Sequence, residues 1–336
     1  MADRQITILG AGGWAIAVAC LLQESGKRLR LWEFDPRAAD ELRLTRTLPK
    51  KLPGIRLPSE TEVTNDLTSA IQDATALVFA TPSTAVRPTA RALLEAGIGD
   101  ALIISLAKGI DIETGERMTE IINSELSRED AVALVGPSHA EEVARGIPTA
   151  VVAASADFSA AERAQEIFSS ERFRVYTSHD PVGVELGAAL KNIVAIAAGI
   201  VDGIGFESSD NMKGALLTRG LAEITRLGVA MGANPETFAG LSGVGDLVTT
   251  CLSRHSRNRY VGEEVAKGRT LQDVLAGMSM VAEGVNATRA ALQLARRHDV
   301  DMPIAEAVSA VLFEGLPAQQ ALEGLMTRTL KPEIRR

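Results

Sequence analysis

Two lysines, one aspartate and a short arginine-rich run are the residues whose types and spacing could do chemistry here. From Val182 to Val201 the chain is almost wholly apolar, and Glu185 and Lys191 are its only charged residues. A lysine in such surroundings is costly to bury unless paired, and its pKa falls readily. An ammonium tuned toward neutrality can give a proton to a reacting oxygen or take one back. The competing reading is a lysine at a helix edge, its stem buried and its head in water. Asn192 is adjacent, and Gly187 lies one turn earlier on the same face, where another surface can approach closely.

The aspartate is Asp246, in the run Gly240-Leu241-Ser242-Gly243-Val244-Gly245-Asp246-Leu247, whose glycines mark a loop held close to something. Its carboxylate suits a hydrogen bond from Lys191 or from a substrate hydroxyl, and it equally suits a helix N-cap ahead of Leu247. Next comes Ser253-Arg254-His255-Ser256-Arg257-Asn258-Arg259. Guanidinium groups grip phosphate as bidentate forks, so this run reads either as a phosphate site or as a solvated helix start. The second lysine, Lys108, and the trio Gly136-Pro137-Ser138 each follow a predicted strand end. His139 comes directly after that trio, but no carboxylate is paired with it by spacing, and it reads as structural.

The elements that must position these groups fall into two classes. Gln5 to Leu9 reads as a buried strand. Gly10-Ala11-Gly12-Gly13-Trp14-Ala15 then opens a helix through about Glu24, and Leu29 to Trp32 forms the next strand. In that strand–turn–helix–strand context the glycines let backbone approach a pyrophosphate at the helix N-terminus. Glu33 follows Gly12 by about 20 residues, the spacing of an acid that accepts a ribose hydroxyl. Asp35-Pro36 reads as an N-cap and first helical residue, so Asp35 is set aside as a ribose ligand. Strands are predicted at Thr75–Ala80, Ala101–Ser105, Ala131–Val135, 149–153 and 172–176. Alternation of strands and helices implies a doubly wound, mainly parallel sheet whose ligands sit at the strands' carboxyl ends. Beyond Asp180, a plausible N-cap with Pro181 behind it, only helices are expected, near 182–201, 213–232, 256–268, 282–298 and 303–313. The fold class is therefore a Rossmann-type α/β domain over 1–180 followed by an all-α domain over 181–336.

Bulk properties narrow the function further. The 336 residues suggest roughly two domains. A net charge of −8 argues against nucleic acid, and the basic run at 254–259 is too short to reverse that. Cys20 and Cys251 make no disulfide framework and show no metal-ligand spacing, so no metal is expected. The apolar stretch at 182–201 has spanning length, but its internal charges favour a buried helix over membrane insertion. No signal peptide is read at the N-terminus, which leaves a cytoplasmic location.

Taken together, the segments resemble the bacterial NAD(P)-dependent sn-glycerol-3-phosphate dehydrogenases. GAGGWAIAVA (10–19), LAKGIDIETG (106–115), VGPSHAEEVARGIPTAVV (135–152), LGAALKNIVAIAAGIVDGIG (186–205), NMKGALLTRGLAEITRLGVAMGA (211–233), FAGLSGVGDLVTTCLSRHSRNRYVG (238–262) and VAEGV (281–285) carry the likeness, in order and along nearly the whole chain. The resemblance implies a helical domain like those of 6-phosphogluconate dehydrogenases. It also implies reduction of dihydroxyacetone phosphate to sn-glycerol 3-phosphate with NAD(H) or NADP(H), feeding glycerophospholipid synthesis. By position, Lys191 is implied as acid/base and Lys108 as a ligand shared by substrate and cofactor. Gly136, Ser138, Asp246, Ser256, Arg257 and Asn258 are implied for substrate, with Asp246 counted among the catalytic residues. Gly10, Gly12, Gly13, Trp14, Glu33, Ala140, Arg257, Val281 and Glu283 are implied for the cofactor. The family usually has serine-tryptophan-glycine-threonine where this chain has Gly13-Trp14-Ala15-Ile16, so one side-chain contact to the cofactor is missing. His139 stands where the family also carries other aromatic residues.

Two other readings remain open on the sequence. One is a superfamily relative acting on a small unphosphorylated hydroxy or keto acid. The other is a non-catalytic dinucleotide sensor, against which the retention of both lysines speaks. An aliphatic-rich helical domain is compatible with a homodimer.

Overall fold

The structure, a computed structural model, describes residues 5–278 and 280–333. In chain order the first half consists of β1 (Gln5–Leu9), α1 (Gly13–Glu24), β2 (Arg28–Trp32), α2 (Pro36–Thr45), β3 (Glu62–Thr64), α3 (Leu67–Ile71), β4 (Ala74–Phe79), α4 (Ser83–Ala96), β5 (Leu102–Ser105), α5 (Met118–Leu126), β6 (Val132–Val135), α6 (Ala140–Val143), β7 (Thr149–Ala154), α7 (Phe158–Phe168) and β8 (Phe173–Ser178). The strands form one eight-stranded sheet in the order β3-β2-β1-β4-β5-β6-β7-β8. Every pairing is parallel except β6 with β7. The middle strands are continuous apolar runs because helices cover both faces, which leaves no side to be polar. Strand order reverses between β1 and β4, and that switch point opens a crevice at the carboxyl ends.

The second half is helical among the described residues. It comprises α8 (Pro181–Ile204), α9 (Asp210–Ala230), α10 (Asp246–Leu252), α11 (Arg257–Ala266), α12 (Leu271–Ala276), α13 (Glu283–Arg297), α14 (Pro303–Phe313) and α15 (Ala318–Met326). Helix α8 begins as its sequence dictates: the Asp180 carboxylate accepts from the Gly183 N–H at 2.9 Å, and Pro181 takes the first position. Every residue from Gly183 to Val201 is buried. It is also the described helix with the length and hydropathy to cross a membrane, and its apolar window is wholly buried inside the protein.

Helix α8 is the post shared by both halves. Its first turns, through Val184 and Ala188, pack on Ala133 and Val135 of β6 and on Val152 and Ala154 of β7. Its middle and end form the centre of the helical core. Each Ile or Leu fully buried there contributes about 1.5–3 kcal/mol, which offsets the cost of holding charged groups inside. Backbone meets backbone where α8 crosses α11: a Cβ on Gly199 would fall 1.9 Å from the Arg259 carbonyl oxygen. That approach brings the start of α11 against α8. The buried Glu185 carboxylate takes the Arg117 guanidinium and the Thr119 N–H and hydroxyl, fixing α8 to the start of α5.

Four local features differ from expectation. β3 is three residues of mixed polarity, too short for alternation to register. α12 and α15 are likewise short, and no strong period marks them in the sequence. The glycine-rich segment expected as a loop is a wide-turned helix over Leu241–Gly245 running directly into α10. Its glycines serve close contact, since a Cβ on Gly243 would sit 2.0 Å from the Phe238 carbonyl oxygen.

Candidate active site

Lys191 lies half-way along α8 and is only 4% exposed, so the helix-edge reading does not apply. Its Nζ donates to Asp246 Oδ1 at 2.5 Å and to Thr250 Oγ1 at 2.5 Å. Asp246 opens α10 and is 1% exposed. Its carboxylate turns to the lysines and does not cap the helix. Lys108 follows β5 and reaches the other carboxylate oxygen, donating to Asp246 Oδ2 at 3.0 Å, to the Gly136 carbonyl at 2.7 Å and to Ser138 Oγ at 3.5 Å. Asp246 thus bridges two ammonium groups, one from each half of the chain.

The electrostatics follow from that geometry. Burial pushes the Lys191 amine down to about 8; the Asp246 carboxylate opposes the fall, and the Lys108 charge adds to it. An amine with two of its three N–H groups engaged and a pKa near neutrality has one donor left for a substrate oxygen. Two ammoniums against one carboxylate also leave net positive charge where an oxyanion can be held.

Thr250, one turn beyond Asp246, lies outside the residues that the sequence singles out. Only the spacing of four residues in a helix could have suggested it. Asn192, beside Lys191, carries no functional signal in the sequence, and the fold supplies its partner. Its Oδ1 accepts from Asn258 Nδ2 at 2.9 Å, and Asn258 Oδ1 accepts from the Gly284 N–H at 2.9 Å. Asn258 therefore joins α8, α11 and α13, with one N–H uncommitted. Ser256 caps α11 through its hydroxyl, which accepts from the Arg259 N–H at 3.3 Å. Of the three arginines in the run, Arg259 is held by Asp202 at 2.6 Å, and Arg254 is exposed. Arg257 is exposed at the crevice and donates to the Val281 carbonyl at 2.7 Å.

The dinucleotide side has the form of a cradle. Gly10 has φ +100°, and a Cβ there would meet the Ala80 carbonyl oxygen at 3.2 Å. Gly12 caps α1 and has nothing within 4 Å of a Cβ position, so its backbone face is open. A Cβ on Gly13 would sit 3.0 Å from the Lys51 carbonyl oxygen, so the turn packs closely on the 48–52 loop at this position. Trp14 packs half-buried behind this turn, and Ala140 starts α6 beside Gly136 and Ser138. Glu33 directly follows β2 and is half-buried, its carboxylate accepting from the Asp35 N–H at 3.1 Å. Asp35 caps α2, in keeping with setting it aside as a ribose ligand. Arg43 and Arg46 spend their guanidiniums on Val63, Asp40, Pro58 and Thr61. Arg37 is exposed. Glu283 reaches back across the crevice, where its carboxylate accepts from the Ser83 N–H at 3.1 Å and the Ser83 hydroxyl at 2.6 Å.

The sequence pattern described as "NAD-dependent glycerol-3-phosphate dehydrogenase N-terminus" matches residues 5–161, and that described as the same enzyme's C-terminus matches 180–323. The chain belongs to the NAD-dependent glycerol-3-phosphate dehydrogenase family. A glycerol-3-phosphate dehydrogenase [NAD(P)+] of Prosthecochloris aestuarii is 51% identical over 98% of this chain and 99% of its own length. One from Pelotomaculum thermopropionicum is also 51% identical, over 96% of this chain and 93% of its own. The crystal structure of glycerol-3-phosphate dehydrogenase from Coxiella burnetii superposes with a TM-score of 0.92 at 34% identity, covering 97% of this chain and 99% of that one. A ketopantoate reductase from Ralstonia eutropha, at 16% identity and a TM-score of 0.59, shares the fold alone. As a member of this family the chain is an oxidoreductase, and the open backbone at Gly12 suits the dinucleotide that membership implies.

Proposed function

We propose that this enzyme reduces dihydroxyacetone phosphate to sn-glycerol 3-phosphate, reversibly, with Lys191 as the acid/base. The observation that carries the reading is the buried Lys191–Asp246–Lys108 bridge, set one residue from the Asn192–Asn258 link to the start of α11. An amine pair fits a ketone oxygen, and an arginine-bearing helix start beside it fits a phosphoryl group.

Gly10, Gly12, Gly13 and Trp14 would hold the pyrophosphate end of NAD(H) or NADP(H), with Glu33, Lys108, Ala140, Arg257, Val281 and Glu283 along its length. When bound, the nicotinamide supplies the hydride. In the reductive direction Lys191 delivers a proton to the ketone oxygen as charge develops there, and Lys108 stabilises the same oxygen. Asp246 and Thr250 hold the Lys191 amine in place. Gly136 and Ser138 orient Lys108 and line the substrate's position. In the oxidative direction Lys191 must be neutral to take the proton back, which a pKa of about 8 permits and an ordinary lysine value near 10.4 does not. Glu33 favours an unphosphorylated ribose; Arg37 is the cation left to accept a 2′-phosphate.

Ser256, Arg257 and Asn258 bind the phosphate in this account. Arg257→Ala is expected to lower kcat/KM for dihydroxyacetone phosphate by about 1.5–3 kcal/mol, the value of a charged hydrogen bond. The loss should be smaller for unphosphorylated dihydroxyacetone, where only the cofactor contact of Arg257 is removed. Equal losses on both substrates would assign Arg257 to the cofactor or to the fold.

The product would feed glycerophospholipid synthesis. The reading divides the chain at residue 180 into a cofactor domain (1–180) and a substrate domain (181–336). It places the enzyme in the cytoplasm, where free thiols such as Cys20 and Cys251 stay reduced. The reading includes a homodimer, on the aliphatic-rich composition of the helical half. The deciding assay follows NAD(P)H oxidation against ketones with and without phosphate. Turnover confined to dihydroxyacetone phosphate is expected. Turnover confined to keto acids would favour the keto-acid reductase, and binding without turnover would favour a sensor.

A further inference from the structure

Lys108 stands near the start of the loop that joins β5 to α5, and Arg117 ends that loop. The loop folds back on itself. Ile110, just beyond Lys108, and Arg117 form an antiparallel bridge, and the Asp111 N–H donates to the Glu116 carbonyl at 2.9 Å. Ile110 belongs to the buried core of the helical half. From the other side of the bridge the buried Arg117 guanidinium reaches the buried Glu185 carboxylate on α8 and holds Glu120 at 2.7 Å. Glu185 also accepts from the Thr119 N–H at 2.9 Å and the Thr119 hydroxyl at 2.5 Å. It precedes Lys191 on the same helix by about 9 Å of helical rise. The loop that carries one ammonium is thus tied to the helix that carries the other. Holding a loop down does not by itself call for charges. A buried ion pair loses on desolvation much of what it gains by attraction, and apolar side chains of similar volume commonly hold as well or better. What the planar guanidinium fork adds is direction.

We infer that Glu185 and Arg117 are positioning residues for Lys108, setting where its ammonium stands against Asp246 and Lys191. This rests on the role given to Lys108 above. Neither side chain is free to meet substrate, since both are buried and spent on each other, on Thr119 and on Glu120. They act through the loop. On one side the backbone at Lys108 is anchored by the sheet, where the Leu106 N–H donates to the Phe79 carbonyl at 2.9 Å. On the other it is anchored by the Ile110–Arg117 bridge, which the ion pair fastens to α8. The Lys108 ammonium divides its donors among Asp246 at 3.0 Å, the Gly136 carbonyl at 2.7 Å and Ser138 at 3.5 Å. Gly136 and Ser138 lie on the sheet side, so a loop released from α8 lets the ammonium settle toward them and away from Asp246. A displacement of about 1 Å in a reacting arrangement can cost about 10²-fold in rate.

A double-mutant cycle separates positioning from support of the fold. kcat/KM for dihydroxyacetone phosphate is measured in the full-length parent, in Glu185→Gln, in Lys108→Met and in the combination. Glutamine keeps the shape of Glu185, but its amide cannot take the guanidinium fork as a carboxylate does. Glu185→Gln is expected to lower kcat/KM by about tenfold to a hundredfold. In the Lys108→Met background the same change should cost less than about twofold, because no ammonium is left to misplace. A loss of equal size in both backgrounds would make Glu185 a support of the fold alone and overturn the inference. So would a parental kcat/KM in Glu185→Gln. Glutamine leaves Arg117 buried without its counter-charge, so a second protein guards against unfolding. Glu185→Leu combined with Arg117→Met replaces the pair by apolar volume, and urea denaturation should find it about as stable as the parent or more so. It should nevertheless show the kinetic loss of Glu185→Gln; a stable protein with parental kcat/KM overturns the inference. A Lys108→Met protein with parental kcat/KM would overturn the role of Lys108 itself, and the inference with it. A parental enzyme inactive on dihydroxyacetone phosphate would instead overturn the proposed function.

Discussion

Lys191→Met is expected to abolish turnover while leaving the dinucleotide bound. Methionine keeps the volume of the lysine stem in a helix that is buried on all sides, so the fold should persist. What it removes is the ammonium. The loss of a general acid accounts for about 10²–10⁴ in kcat, and the loss of a preorganised donor at the developing oxyanion for a further factor of about 10²–10³. The glycine turn after β1 is on another element and is untouched, so NADH titration by fluorescence should give a near-parental affinity. A variant with kcat within tenfold of the parent would remove Lys191 from the chemistry.

Asp246→Asn should be nearly as damaging, and in two measurements at once. The carboxylate is the counter-charge to both Lys191 and Lys108. Asparagine has the same shape, but its carbonyl can serve one amine only, and its NH₂ then faces the other. With the counter-charge gone, burial and Lys108 act on Lys191 unopposed, and its pKa falls below about 8. At neutral pH the proton donor for reduction is then partly missing, and kcat should drop by about 10²–10³. Breaking one partner out of a buried charge pair should also cost about 3–5 kcal/mol of stability. Urea denaturation beside steady-state kinetics reads both effects. Parental stability together with parental kcat would mean that the bridge is incidental.

Much of this was legible in the chain because it lies in local signals. A proline behind an aspartate starts α8, glycines around residue 10 turn β1 into α1, and alternating apolar segments give the sheet. The lone lysine in an apolar helix pointed to the site, although a helix-edge lysine with its head in water fits the same pattern, and burial at 4% exposure decides between the two. Thr250 and the Asn192–Asn258 link were not legible. A threonine one turn along a helix and two buried amides have nothing unusual in composition; their meaning comes from which helix lies opposite. The same holds for the bond between Glu283 and Ser83, which joins residues 200 positions apart; the resemblance names Glu283 but not this partner. The glycine run at 240–245 was read as a loop because glycine ordinarily breaks helices. The structure has Leu241–Gly245 helical instead, with Gly243 against the Phe238 backbone, a contact that no local pattern encodes.

The claim that one buried lysine serves as acid in one direction and base in the other is tested most directly by the pH dependence of kcat/KM for both reactions, which reports the free enzyme. Reduction needs Lys191 protonated, so its kcat/KM should fall as pH rises through about 8; oxidation needs the amine neutral, so its kcat/KM should rise through the same value. Opposed profiles crossing near that pH, both lost in Lys191→Met, are the predicted result. Profiles that run in the same sense, or that persist in the methionine variant's residual activity, would contradict it.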